Sequence, residues 1–145
     1  MRTVKVCALV LILSLGAFAK PKWKFVATSQ GTLILYDANS IQRRGPIVRV
    51  WEKWVPIGES NRQRRADSLS MQNYAYQMEQ SDYDCGKKRM RSVSVVIYST
   101  DGHVIDSSEN VESWETIVPD SAGSVVLDAV CRVQRTPRHS AKRRI

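Results

Sequence analysis

Apolar and polar residues alternate through much of the chain with the period of two that marks half-buried strands. Lys22-Trp23-Lys24-Phe25-Val26-Ala27 is the first such stretch and Thr32 to Tyr36 (TLILY) the second. With Ser29-Gln30-Gly31 between them, they predict a hairpin. Asp37-Ala38-Asn39-Ser40 is turn chemistry, because these short polar side chains bond their own backbone. Ile47 to Val55 (IVRVWEKWV) is dense in β-branched and aromatic residues. Its Trp51 and Trp54 lie three apart and cannot share a face of a regular strand, so either a bulge separates them or one ring faces out. Ile57 to Asp67 (IGESNRQRRAD) is polar and basic and reads as a loop. Tyr74 to Tyr83 is assigned as strand, with one helical turn the competing reading. Lys87 to Ser99 alternates from Met90 onward, and the Asp101-Gly102 pair that follows is the strongest hairpin signal in the chain. His103 to Ser107 returns as the next strand.

Beyond it the period changes. Asn110 to Pro119 is a connection holding Trp114 and Ile117, and Asp120 or Ser121 can cap a helix running to about Gln134. Val126, Ala129, Val130 and Val133 recur at i, i+3, i+4 and i+7 and make one apolar stripe. Five or six strands in hairpin order followed by a segregated helix predict an α+β fold: an antiparallel sheet of about six strands with one C-terminal helix. The four tryptophans, Trp23, Trp51, Trp54 and Trp114, are read mainly as core anchors.

The amino terminus sets the compartment. Arg2 and Lys5 precede an uncharged run from Val6 to Phe18, and Ala17-Phe18-Ala19 then leads into Lys20. This is the layout of a secretory signal peptide cleaved between Ala19 and Lys20, with an apolar run too short to span a bilayer comfortably. The expected organisation is a signal peptide over 1–19, one α+β domain over 20–135 and a basic, disordered tail over 136–145. No transmembrane anchor is expected in the mature form, and no lipid-attachment cysteine follows the apolar run. The protein is expected to be exported, either to the periplasm or to the outer surface.

Removing the signal changes the composition. The whole chain carries 22 Lys and Arg, 14 Asp and Glu, a formal charge of +8 and three cysteines. Without Arg2 and Lys5 the 22 bases become 20 against the same 14 acids, a mature charge of +6. Without Cys7, only Cys85 and Cys131 remain, which in an exported protein most simply form one disulfide that would pin the helix to the sheet. Charge is unevenly laid out: residues 101–120 hold six acids and no base, and residues 132–145 six bases and no acid. Further bases group at Arg43-Arg44, at Arg62, Arg64 and Arg65, and at Lys87, Lys88, Arg89 and Arg91. Arg62, Arg64, Arg65, Lys87, Lys88 and Arg89 are the candidate contacts to anionic glycan, lipopolysaccharide or acidic protein segments. Export removes nucleic acid as a partner.

Catalytic chemistry is sparse. Only His103 and His139 supply imidazole, one beside a turn and one in the tail, and no phosphate-binding or nucleophile-elbow motif occurs. Neither histidine nor cysteine spacing suits zinc, so no metal, cofactor or catalytic residue is assigned.

The ordered series Trp23, Tyr36-Asp37, Ser40-Ile41, Arg43, Gly45, Val50-Trp51, Asp84-Cys85, Arg89, Tyr98, Asp101-Gly102, Trp114, Ile117, Pro119-x-Ser121 and Cys131 resembles the surface-adhesin protein E family. These are small exported domains of Gram-negative bacteria. The resemblance implies a six-stranded antiparallel sheet with a disulfide-tethered helix. It also implies binding to host matrix or serum proteins and a homodimer. The function expected is therefore an exported, non-enzymatic binding module. A periplasmic envelope-accessory protein that binds another bacterial protein is the alternative, and an enzyme or enzyme inhibitor the third reading.

Overall fold

The alternating stretches resolve into one antiparallel sheet. The structure is a computed structural model that describes residues 19–133; the rest of the expected signal segment and the basic tail lie outside the described residues. The strands are β1 (Trp23–Ser29), β2 (Thr32–Asp37), β3 (Gln42–Arg44), β4 (Ile47–Pro56), β5 (Tyr74–Asp84), β6 (Arg89–Ser99), β7 (Val104–Ser108) and β8 (Glu115–Thr116). Six of them run in the order β1-β2-β4-β5-β6-β7, and the short β3 and β8 add to β4 and β6. Two helices complete the fold, α1 (Glu59–Leu69) and α2 (Ala122–Cys131).

The β1–β2 hairpin turns on Gln30 and Gly31, both at positive φ, the conformation that matches the twist of adjoining strands. A side chain at Gly31 would collide with Asn61 of α1, so glycine here lets turn and helix touch. Asp37 and Ser40 organise the next turn. Asp37 Oδ1 accepts from the backbone N–H groups of Lys22 and Asn39 at 2.7 and 2.9 Å. Ser40 Oγ accepts from Trp51 N–H at 2.9 Å.

The pleat of β4 sorts its residues. Val48, Val50, Glu52 and Trp54 face the helices, while Arg49, Trp51 and Lys53 face away. The pairing of β4 runs without a bulge, so Trp51 and Trp54 lie on opposite faces. On the helix side, Ile34, Tyr36, Val48, Val50 and Tyr83 pack against Val126, Leu127 and Val130 of α2. A smaller cluster of Ala66, Tyr74 and Ile97 lies beneath α1.

Two expectations are corrected. Residues 57–67 are not a loop: α1 occupies most of them. It is held by a Glu59–Arg62 ion pair and by Gln63 donating to Asp67 at 2.8 Å, and it buries only Ala66. A helix resting on one small residue has almost no apolar periodicity to read. The C-terminal helix ends at Cys131 and not near Gln134, and Leu127 takes the buried place expected for Val133, which is exposed.

Ser121 caps α2, its Oγ accepting from Ser124 N–H at 3.2 Å. The other end is fixed covalently and polarly. Cys85, just after β5, is bonded to Cys131 with Cα atoms 5.8 Å apart. Arg43 Nη2 donates to the carbonyls of Val130, Cys131 and Val133 at 3.2–3.4 Å, satisfying acceptors that every helix end leaves open. Cys131→Ser is expected to lower unfolding free energy by about 2–4 kcal/mol, the usual contribution of a disulfide closing a loop of this length. Urea denaturation checks this; a loss below about 0.5 kcal/mol would show that packing alone holds α2.

Candidate functional site

The six basic candidates divide between the two ends of β5. Arg62, Arg64 and Arg65 lie on α1 beside its start, and Lys87, Lys88 and Arg89 lie at or just after the turn beyond its end. Eleven strand residues separate the groups by roughly 30 Å at about 3.3 Å per residue. Several of these cations are already engaged. Arg62 pairs with Glu59 and donates to Tyr74 O at 3.0 Å. Arg65 donates to Gln77 Oε1 at 2.9 Å, and Arg89 pairs with Asp84 at 3.1 Å. Arg64, Lys87 and Lys88 stand exposed.

The face of the sheet turned away from the helices carries Trp23, Phe25, Trp51, Lys53, Tyr76, Met78, Val96 and Tyr98. Neither helix covers it: α1 and α2 both pack on the opposite face. Phe25 is 63% exposed. Tyr76 and Tyr98 stack with centroids 4.8 Å apart, and Lys53 Nζ lies 4.1 Å from the Tyr76 ring and 5.9 Å from that of Trp23. Toward the other end of the face, Arg49 and Arg91 clamp the buried Asp82 at 2.7–3.0 Å. Burial pushes the Asp82 carboxyl up, but hydrogen bonds and charge from the two guanidiniums outweigh it and hold it below the usual range. Arg89 and Arg91 also lie 4.6 and 4.5 Å from the Trp114 ring, so Trp114 anchors its connection by cation–π contact.

Under the helices lies a feature the sequence reading passed over. Glu52 is fully buried on the helix side of β4, directly opposite Glu79 of β5. Tyr83 O–H donates to Glu52 Oε1 at 2.7 Å, and the buried Ser81 hydroxyl and Trp54 indole N–H are the other donors close to this carboxyl, short of ideal hydrogen-bond geometry. Burial pushes the Glu52 carboxyl up to about 7; the Tyr83 hydroxyl, and less strongly Ser81 and Trp54, oppose this, and the charge of Glu79 adds to it. Glu79 is raised too, first by burial and further by Glu112, against Ser92, Ser81 and Arg65. Above this pair, a cleft of about 400 Å³ opens between α1, the β1–β2 turn and the sheet, with Trp54, Tyr74, Gln77 and Glu79 in its lining. The signal was present in the strand itself: Glu52 falls in phase with Val48 and Val50, an acid on an apolar face.

The Ser99, Asp101 and His103 side chains meet at the β6–β7 turn. Ser99 Oγ donates to Asp101, and His103 Nδ1 lies 3.2 Å from Asp101 Oδ2. The serine bonds the carboxylate and not the imidazole, so this is a clamp on the turn without the nucleophile–base contact of a triad. His103 is exposed at the surface. Among the described residues, no group of His, Cys, Asp and Glu is placed to hold a metal ion.

The fold is thus a disulfide-tethered helix on one face of an antiparallel sheet, with an aromatic and cationic second face left open. The chain belongs to the surface-adhesin protein E family, whose pattern it matches over residues 23–132. Among solved structures it is similar to crystal form II of Haemophilus influenzae protein E, at 13% identity and a TM-score of 0.50, covering 73% of this chain and 91% of that one. A selenomethionine form of the same protein aligns at 13% identity and a TM-score of 0.49, covering 77% and 91%. No curated protein sequence matches the chain. Among the described residues, no helix is long and apolar enough to cross a membrane.

The buried carboxyl has a pH signature. Glu52 keeps its proton to about pH 7 when folded and only to about 4.5 when unfolded. Between those values the folded state binds the extra proton, so stability falls as pH rises through the window. The expected loss is about 3 kcal/mol at most, and Glu52→Gln should remove most of it. Urea unfolding at intervals from pH 4.5 to 8 measures both, and an identical slope in wild type and variant would contradict the assignment.

Proposed function

We propose that this protein is an exported, non-enzymatic binding module that uses the open face of its sheet to contact host matrix or serum proteins. The observation that carries the reading is the uncovered row of Trp23, Phe25, Trp51, Tyr76 and Tyr98 around Lys53. Aromatic rings on a firm sheet offer large contact area with little side-chain entropy to lose, and such rings supply most hot spots of protein interfaces. Trp23 and Phe25 lie on the edge strand β1, Trp51 and Tyr76 on the central β4 and β5, and Tyr98 on β6, so the rings are spread across most of the sheet's width.

The basic groups serve as separate contacts in this reading, since α1 carries Arg64 and Arg65 on the side of the sheet opposite the aromatic face. Arg64 with Arg65, and Lys87 with Lys88, lie too far apart for one compact anionic group but suit an extended anionic glycan or acidic protein surface. The open face is equally the surface on which a second copy would pack. Cleavage between Ala19 and Lys20 completes the proposal by delivering the domain outside the cytoplasm.

Surface plasmon resonance of the mature chain over immobilised laminin and vitronectin tests the reading. Binding is expected, with Trp51→Ala lowering affinity at least about tenfold at unchanged fold. Heparin retention that weakens with salt should fall in an Arg64→Glu, Lys87→Glu variant and not in Trp51→Ala. Absence of binding to both matrix proteins, or affinity indifferent to Trp51, would remove the support for adhesion. Sedimentation of the same samples reads self-association directly.

A further inference from the structure

We propose that the end of the open face nearest the disulfide binds a sulfated oligosaccharide, with Arg44, Arg49, Arg89 and Arg91 meeting its anionic groups. The inference rests on the reading of this face as a contact surface, and gives that surface a second class of ligand at a defined place.

The register of the sheet brings together bases that lie far apart in sequence. Arg44 of β3 is opposite Ile47 of β4, Ile47 is opposite Asp84 of β5, and Asp84 is opposite Arg89 of β6, with Thr116 of β8 beyond it. The neighbouring row runs Gln42, Arg49, Asp82 and Arg91. Residues opposite one another in a ladder share a face, so both rows project from the side that the helices leave open. Four guanidiniums thus meet two carboxylates, a surplus of +2. The turn with the exposed Lys87 and Lys88 borders the same end and enlarges that surplus.

Three of these cations are also held in place. Arg49 donates to Asp82 from Nε and Nη2 at 2.7 and 2.9 Å, and Arg91 from the same two groups at 3.0 and 2.9 Å. Arg89 Nε donates to Asp84 at 3.1 Å, and the Trp114 ring lies within 4.6 Å of both β6 guanidiniums. One carboxylate cannot neutralise two guanidiniums. The Nη1 groups of Arg49, Arg89 and Arg91 donate to no partner among the described residues. The three side chains keep 33%, 31% and 29% of their surface exposed, so an anion can reach them. Ordering a long basic side chain around a ligand costs rotamer freedom, and here folding has already ordered three. Forked, planar donors of this kind pair well with oxyanions.

The extent of the patch selects the ligand. Arg44 and Arg89 are three strand spacings apart, about 14 Å at roughly 4.8 Å each, far wider than one sulfate group. A chain that carries several such groups therefore fits better than a free ion. Apart from Ile47, the uncharged positions in the rows are Gln42 and Thr116, whose amide and hydroxyl groups suit sugar hydroxyls. The expected export of the chain favours a glycan over nucleic acid as the carrier.

Isothermal titration of the mature protein with a heparin-derived tetrasaccharide, its desulfated counterpart and a single-stranded oligonucleotide of equal charge tests the site. In about 50 mM salt the sulfated sugar is expected to bind with a dissociation constant below about 100 μM, at least about tenfold tighter than either control. Arg44→Glu combined with Lys87→Glu changes two exposed side chains and should weaken it at least about tenfold. Arg64→Glu, on the other side of the sheet, should leave it unchanged. Thermal melts identify any loss that is only unfolding. In the wild type, the indole N–H resonance of Trp114 should shift on titration while that of Trp54 stays, which locates the sugar without a variant. Affinity for the desulfated sugar or the oligonucleotide equal to that for the sulfated one, or loss in Arg64→Glu and not in the double variant, would overturn the proposal. Binding to matrix proteins and its dependence on Trp51 are measured on the same preparations, so failure of adhesion and failure of this site give different results.

Discussion

The fixing of α2 against the sheet is the constraint on which the rest of the molecule depends. Ten residues are too few for a helix to persist alone in water. Three of its side chains, Val126, Leu127 and Val130, are the fully buried partners of Ile34, Tyr36, Val48, Val50 and Tyr83, with Val26, Ile41, Met90 and Ile117 packed around them. Burying each contributes roughly 1.5–3 kcal/mol, enough to dock the helix but little to spare for a domain of this size. The bond from Cys131 to Cys85 and the guanidinium of Arg43 act at one end of the helix, and the Ser121 cap at the other. With both ends held, the apolar stripe has one place to lie.

That coverage explains why an acid is tolerated beneath the helices. Tyr83 belongs to the core under α2, and its hydroxyl is the leading hydrogen-bond partner of Glu52, ahead of Ser81 and Trp54. The carboxyl is thus held by a residue that α2 itself keeps in place. The cost of burying Glu52 falls beside Trp54 and Glu79, its neighbours on strand and ladder, which line the cleft. A core made only for stability would close that gap with a hydrocarbon, since a buried ionisable group without full satisfaction is worse than an apolar one of similar volume. Departures of this kind concentrate at working parts of proteins.

Much of the fold was legible in the residues. The Gln30-Gly31 and Asp101-Gly102 turns carry their own chemistry, and the strands between them alternate cleanly, so every long strand and the last helix could be placed. The cysteine pairing followed from export and from counting, and the resemblance to the protein E family rested on residues such as Asp37, Ser40 and Arg43 that prove to organise turns and the helix end. What escaped is equally specific. Helix α1 hides because Ala66 is the only residue it fully buries, leaving ion pairs and not a stripe as its signature. Alternation tells which residues share a face but not which face receives the helices. Thus a bulge between Trp51 and Trp54 and one ring facing out remained alternatives until the regular pairing of β4 decided them, and Glu52 was not recognised as buried. The distance between the basic groups was hidden for a related reason: Arg65 and Lys87 flank β5, and only its extended course carries them to opposite ends of the sheet.

The two faces of the sheet then follow different logic from one sequence pattern. Both alternate registers are rich in apolar residues, yet two helices cover only one of them. On the covered face, tight packing leaves a local defect where Glu52 and Glu79 meet. On the open face, rings remain half-exposed because no element of the described chain reaches them, and Lys53 lies over two of them instead of an acid. A protein with no use for that face would carry polar residues there, since polar positions alternate freely in strands with one wet side. The proposed contact surface rests on that asymmetry: rings half-exposed on one face of a sheet whose opposite side is held by a covalent bond.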